Sequence, residues 1–325
     1  MKSPFLFSDD NKRYHTYNYF LRHFFGEKVF KVSLNASMTC PNRDGTKGVG
    51  GCSYCSEALS GDFAGNPQEN IKTQFDCIKN EMHKKWPDAT YIAYFQSGTN
   101  TYAPLERLRE LFEEAISFDG VRGLSVATRA DCISEEVADY LGELAGRTFL
   151  TVELGLQTIH DKTSHALNRC HSFEEFLRGY ELLKRRGINL CVHIIDGLPG
   201  ESAEMMRETA RAVSALHPQS VKIHLLHVLK GTPLEIEYQK GGFSVLDRDE
   251  YVKIICDQLE LLPEDIVIAR VTGDGAKEQL VAPRWSLKKF CVMNEIDKEL
   301  LRRNSFQGIK AEKSKRLTGL GKSED

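Results

Sequence analysis

The sequence predicts an α/β fold, a partial (β/α)6 TIM-like barrel with an N-terminal helical extension and a C-terminal α/β extension. Short apolar runs alternate with helical stretches in a regular way. The helical stretches are long enough to cross between parallel neighbours, and a polar or glycine-rich segment follows every apolar run. Strands separated in this way pair in parallel, and a series of such units curls into a barrel.

In chain order, residues 1–28 hold KRYHTYNYFLRHFF, which fits an amphipathic helix closing the barrel and also fits aromatics and cations that meet nucleic acid. VFKVSLNA (29–36) is the first strand, and the loop after it carries Cys40, Cys52 and Cys55. A helix over 67–85 leads to ATYIAYFQ (89–96) and then QSGTNTYAP. Pro104 suits the first turn of a helix over 104–117, and VRGLSVAT (121–128) runs into TRAD. Ser134, backed by Glu135 and Glu136, starts a helix over 134–144, before TFLTVELG (148–155) and its close, ELGLQT. Ser172 with Glu174 and Glu175 opens a helix over 173–186, before NLCVHIID (189–196) and DGLPGES. A helix over 201–215 precedes SVKIHLLHV (220–228) and HVLKGTP. The barrel core thus spans 29–230, an extension over 231–310 packs on it, and 311–325 form a disordered basic tail with too little apolar surface to pack. Parallel barrels gather their chemistry at the carboxyl ends of the strands, so the six connecting segments are expected at one edge.

A chain of 325 residues can bury a sizeable core. No stretch approaches ~18 uninterrupted apolar residues, which excludes a membrane-spanning helix. Nine cysteines with one close cluster, and no leader with an apolar h-region, point to a reducing cytoplasm rather than a disulfide scaffold. The net charge of −3 is unevenly spread: residues 1–31 carry six Lys/Arg against three Asp/Glu, and residues 284–325 carry eleven against six. Should those ends meet, they form a positive platform for phosphates; the alternative is a pair of solvated termini.

The chemistry-bearing motif is CPNRDGTKGVGGCSYC (40–55). A structural zinc site closes with four ligands, whereas three thiolates on one glycine-rich loop hold a [4Fe–4S] cluster by three irons and leave the fourth open for a chelating cofactor. S-adenosylmethionine suits that iron, and Tyr54, one residue before the third cysteine, is placed to cover its adenine. Gly45, Gly48, Gly50 and Gly51 allow the long C-x11-C spacing to wrap a metal centre. A zinc knuckle remains the alternative for C-x2-C alone. Cys77, Cys132, Cys170, Cys191, Cys256 and Cys291 lack partners at ligand spacing, so most are expected to be buried small residues and a single cluster is predicted.

Together, CPNRDGTKGVGGCSYC, FQSGTNTYAP, ATRADC, VELGLQT, HIIDGLPGES and RVTGDGAKEQLVAPRWS resemble the YhcC/YtqA-type radical S-adenosylmethionine (radical SAM) proteins, relatives of the radical domain of the Elongator catalytic subunit. The likeness runs from about residue 10 to 310; the Elongator acetyltransferase domain is absent. The resemblance implies that Cys40, Cys52 and Cys55 ligate the cluster, and that Gln96, Ser97, Gly98 and Thr99 form a turn that meets the cofactor's amino group. Thr128 and Arg129 face cofactor or substrate, although Arg129 equally suits an acidic neighbour. Glu153 and Gln157 bond the cofactor's amino group or ribose, the ammonium supplying the partner that a buried carboxylate needs. Arg169 grips its carboxylate, Asp196 accepts from a ribose hydroxyl, and Gly197 and Gly200 let the backbone pass close to the adenosine. His193, His224 and Arg129 are the candidates for catalytic roles; satisfied core histidines are the alternative for the first two.

The same kinship implies a tRNA substrate and chemistry at the wobble uridine (U34). The step suggested is conversion of a carboxymethylaminomethyl group to aminomethyl by hydrogen abstraction beside the amine, oxidation and imine hydrolysis. A reductant such as flavodoxin or ferredoxin feeds the cluster, and a separate tRNA methyltransferase acts later. Two other functions fit the residues: radical chemistry on a small-molecule metabolite, and a zinc-binding, non-enzymatic RNA adaptor.

Overall fold

The apolar runs become strands buried on both faces, as a parallel sheet flanked by helices requires. The computed structural model describes residues 4–311 except 60, 62 and 274. The basic tail expected over 311–325 lies outside them but for Ala311. The six expected strands are Val29–Leu34 (β1), Thr90–Phe95 (β2), Val121–Thr128 (β3), Phe149–Gln157 (β4), Asn189–Asp196 (β5) and Ser220–Leu225 (β6). The run expected over 220–228 divides, its end forming Val228–Leu229 (β7). Val267–Arg270 (β8), from the C-terminal extension, joins the sheet beside β6, and Leu280–Ala282 (β9) pairs antiparallel with β7. The order β1-β2-β3-β4-β5-β6-β8 is parallel throughout and curls into a half-barrel.

The helices are Tyr17–Phe25 (α1), Ile71–His83 (α2), Leu105–Ile116 (α3), Glu135–Ala145 (α4), Asp161–Ala166 (α5), Phe173–Lys184 (α6), Ala203–Leu216 (α7), Pro233–Gln239 (α8), Arg248–Leu261 (α9) and Lys289–Arg302 (α10). Ser134 Oγ accepts from Val137 N at the start of α4, and Ser172 and Glu175 close a reciprocal capping box on α6. Asn70 caps α2, so this helix begins four residues after the expected 67. None of the described helices is long and apolar enough to cross a membrane.

Helix α1 takes up the barrel-closing role. Leu21 packs with Val29 and Ile92, and Phe20 and Phe25 pack on Phe149. Val29 and Phe149 begin β1 and β4, so α1 covers the amino ends of the strands, the end away from the cysteine loop. Its aromatics close the barrel rather than line the working edge.

The described parts of the two ends do meet, in a seam of ion pairs and hydrogen bonds. Lys12 pairs with Asp297, Arg13 Nη1 donates to Ser305 O (3.1 Å), and His15 N donates to Gln307 Oε1 (2.8 Å). Ile268 N donates to His15 O (2.8 Å), so the N-terminal segment also covers the free edge of β8. On α10, Lys298 pairs with Glu295 and Arg302 with Glu299, while Arg303 holds Asp257, Glu260 and Glu299. Among the described residues, several cations of the two ends are thus matched by carboxylates.

Gly179 on α6 lets the helix lie against the turn Ala130–Cys132, which carries the end of β3; a Cβ there would stand 2.1 Å from Ala130 O. Gly179→Ala is expected to lower the unfolding free energy by about 1–3 kcal/mol in urea denaturation. A change below about 0.5 kcal/mol would show that α6 is free to shift.

Candidate active site

The loop after β1 is held from several sides. Arg43 Nη1 donates to Glu57 O (3.3 Å) and its Nη2 to Cys55 O (3.2 Å). Asn168 Nδ2 donates to Val49 O (3.0 Å) and Gly51 O (2.9 Å), and Ser53 N donates to Leu167 O. The β4–α6 connection therefore clamps the loop so that Cys40, Cys52 and Cys55 line one cavity of ≈ 320 Å³ at the carboxyl ends of the strands. None of the three is in a disulfide. The other cysteines depart from expectation. Of them only Cys191 and Cys256 are buried; Cys132 and Cys170 are partly exposed, and Cys77 and Cys291 are exposed. Cys77 and Cys291 lie on the outward faces of α2 and α10, where a cysteine covers no core.

The turn after β2 touches the loop directly. Gly98 N donates to Leu59 O and Thr99 N to Thr39 O. With φ +80° and only 2.2 Å between an added Cβ and Met38 O, position 98 admits glycine alone. Gln96, Gly98 and Thr99 line the cavity. Ser97 does not; its Oγ donates to Ala58 O (2.9 Å) and braces the loop. Thr128 lines the wall with its hydroxyl 2.6 Å from that of Thr101.

Arg129 takes the acidic neighbour. It meets Asp131 in a two-pronged pair (2.9 Å each), and its Nη1 and Nη2 donate to Arg169 O and Cys170 O. This pairing gives Arg129 a positioning role in the loop. The Arg129 guanidinium helps hold the Asp131 carboxyl, despite its burial, well below the usual carboxylate range. Lys47 from the cysteine loop pairs with the same Asp131 (2.7 Å). Asp131 thus bridges loop and barrel, a role that TRAD alone does not signal.

Inside the barrel, Glu153 is the centre of a polar cluster. Its Oε1 takes Lys31 and its Oε2 takes Lys222; Tyr94 OH and His193 Nε2 also donate to Oε2, each at 2.9 Å. Burial works against its charge, but Lys222 and Lys31 hold the carboxyl well below the usual range. Where a cofactor ammonium is expected as the partner of Glu153, two lysines of the chain already pair with it. Burial, reinforced by Lys222, brings His193 down to about 4, and burial drives Lys222 down to about 8. His193 is therefore a neutral donor to Glu153. Glu153, Cys191 and His193 lie close enough to suggest a metal site, but the two ammonium groups occupy the carboxylate.

Gln157 ends β4 with φ +71°, a conformation costly for a non-glycine residue and common at ligand sites. Its Oε1 is buried without a partner, as are Arg169 Nε and His224 Nε2, and all three residues line the cavity. Arg169 Nη1 donates to Tyr54 OH (3.2 Å), and its Nη2 bonds Gly155 O. Asp196 is not brought to the cavity. Gln258 Nε2 donates to its Oδ1 (2.7 Å) from α9, and Oδ2 is buried without a partner. Fourteen of the sixteen sequence-predicted site residues share the cavity; Ser97 and Asp196 stand behind it. Lys222 and Arg270, absent from that set, also line it.

Residues 39–213 match the Radical SAM superfamily and residues 218–302 the Radical SAM C-terminal domain. The chain is 53% identical over 306 residues to YtqA of Bacillus subtilis, covering 94% of this chain and 95% of that protein. It is 28% identical over 154 residues to a tRNA uridine(34) acetyltransferase of Methanocaldococcus infernus, covering 46% of this chain and 28% of that protein. Among solved structures, Elp3 of Methanocaldococcus infernus, lacking its N-terminus, superposes with TM-score 0.64 at 20% identity, covering 86% of this chain and 64% of that one; this likeness is one of fold. A half-barrel with a three-thiol loop at its carboxyl edge thus defines a radical SAM enzyme, whose cofactors are a [4Fe–4S] cluster and S-adenosylmethionine. The chain belongs to the YhcC/YtqA-type branch of that superfamily, related to Elp3. The zinc-binding adaptor is thereby set aside.

Burial pushes the Asp196 carboxyl up to about 8, so the folded chain keeps a proton that the unfolded chain releases near pH 4. The folded state is favoured fully below the unfolded pKa and loses that advantage as pH rises through the folded one. Asp196→Asn is expected to gain stability relative to the parent as pH rises from about 5 to about 8, reaching about 1 kcal/mol or more in denaturant titrations. A pH-independent difference would show that Asp196 is ionised in the fold.

Proposed function

We propose that the chain modifies tRNA at the wobble uridine, converting a carboxymethylaminomethyl group to aminomethyl with one [4Fe–4S] cluster held by Cys40, Cys52 and Cys55. The observation that carries this is three cysteines of one clamped loop, none in a disulfide, lining a cavity whose wall leaves Gln157 Oε1 and Arg169 Nε without partners. Such a donor set fits a cluster with one open iron, and the unpaired polar atoms fit a polar cofactor beside it. When bound, the cluster and S-adenosylmethionine supply a 5′-deoxyadenosyl radical that removes a substrate hydrogen.

The chain's own residues bind, orient and exclude water. Gln96, Gly98 and Thr99 meet the cofactor's amino group, Arg169 its carboxylate, Tyr54 its adenine, and Thr128 and Gln157 its remaining polar edge. Arg129, through Asp131 and the 169–170 carbonyls, keeps the arginine loop against the cysteine loop. Ser97 braces the same loop, and neither Glu153 nor Asp196 touches the cofactor. The tRNA assignment is supported by likeness to a protein named for uridine-34 acetylation, and the acetyl-transfer activity itself is not carried over. A reductant of the flavodoxin or ferredoxin class, a later tRNA methyltransferase and a cytoplasmic setting complete the proposal.

Anaerobically reconstituted Cys40→Ser, Cys52→Ser and Cys55→Ser variants are each expected to lose cluster iron and S-adenosylmethionine cleavage. Nucleoside mass spectrometry of tRNA from a strain lacking the protein is expected to show accumulation of the carboxymethylaminomethyl nucleoside. Full iron in any of the variants would remove the ligand assignment. An unchanged nucleoside profile would remove the tRNA substrate and favour a small-molecule one.

A further inference from the structure

We infer that the inner end of the cavity is a built anion site that receives a carboxylate carried by the substrate, with Lys222 and His224 as its donors beside Arg270. This rests on the cavity being the reaction site, and it does not require the substrate to be tRNA.

The argument starts from charge. Among the described residues lining the cavity, the cations are Arg129, Arg169, Lys222 and Arg270, and Glu153 is the only carboxylate. Arg129 is matched by Asp131. Glu153 is shared by Lys31 and Lys222, with side chains 17% and 10% exposed, so one carboxylate faces two ammonium groups. One is neutralised and the other is an excess charge held away from water, which is costly unless an anion joins it. Burial already drives Lys222 toward its neutral form, and a bound anion reverses that pressure.

The geometry gives the excess charge a pocket. Lys222 and His224 stand two residues apart on β6 and so face the same side of the sheet. His224 Nε2 is buried without a partner, and its ring lies 5.2 Å from that of His193, which is committed to Glu153. Arg270, at the end of β8, lines the same cavity and acts electrostatically on both Lys222 and His224. An ammonium, an imidazole and a guanidinium from two adjacent strands suit the two oxygens of a carboxylate. The carboxylate of S-adenosylmethionine is not this occupant. Arg169 and the cysteines belong to the loops at the carboxyl edge, whereas Lys222 is the third residue of β6, inside the barrel.

The test uses the anaerobically reconstituted full chain with 15N-labelled histidine, titrated with sodium acetate at constant ionic strength and, separately, with neutral acetamide. Imidazole signals are assigned with His224→Gln and His193→Gln. Acetate is expected to move the His224 signal saturably and to bind about tenfold or more tighter than acetamide. Lys222→Met is expected to weaken acetate about tenfold, while Lys222→Arg keeps most of the affinity. An equal response to acetate and acetamide, or no saturable response, overturns the inference without reference to any variant. A second arm compares anticodon stem-loops bearing the carboxymethylaminomethyl group or its amide. Tighter binding of the acid supports the inference; equal binding of the two overturns it. If neither stem-loop binds while acetate behaves as expected, the anion site stands and the tRNA proposal falls.

Discussion

One carboxylate ties the half-barrel together from inside. Glu153 on β4 receives Lys31 from β1, Tyr94 from β2, His193 from β5 and Lys222 from β6, so a single side chain links five strands across the interior. An open parallel sheet has no hydrogen bonds between its first and last strands, and its curl must be set by what fills the concave side. Apolar residues pack the helix-facing side; a charged cluster fills part of the inner one. Lys31 also lies over the rings of Tyr17 and Tyr94, which joins the cluster to the helix that closes the barrel floor. The same arrangement leaves a positive excess under the cavity, so what shapes the barrel also sets the electrostatics of the site.

Much of this was legible in the sequence, for identifiable reasons. Parallel strands buried on both faces read as continuous apolar runs, and caps such as Ser134 and Ser172 mark helix starts within a residue. The cysteine loop stood out because three thiols and four glycines in sixteen residues have few structural explanations. The inner cluster was not read, although a signal exists. VFKVSL and SVKIHL each place one lysine in a mostly apolar strand, and FLTVELGLQ places one glutamate in another. Period-two alternation puts such residues on one face. Counting charge over inward positions shows that two cations share one anion.

Other misses come from tertiary choices that composition does not encode. Asp196 and Ser97 have the right local motifs, yet Gln258 from α9 and Ala58 from the cysteine loop claim their side chains. The described parts of the two basic ends meet, and Asp297, Glu295, Glu299 and Asp257 pair with several of their cations. The aromatics of α1 fill the end of the barrel opposite the cysteines. Among the described residues, the cationic side chains that line the cavity come from the barrel strands, their loops and β8.

The most direct measurement of Glu153's central role is a stability cycle comparing Glu153→Leu with the triple replacement Lys31→Met, Glu153→Leu and Lys222→Met. Removing the carboxylate alone strands two buried ammonium groups and is expected to cost about 3 kcal/mol or more in unfolding free energy, whereas replacing all three groups by apolar ones is expected to recover most of that loss. A Glu153→Leu chain as stable as the parent, or a triple variant no more stable than the single one, would contradict the claim that this ion cluster holds the half-barrel together.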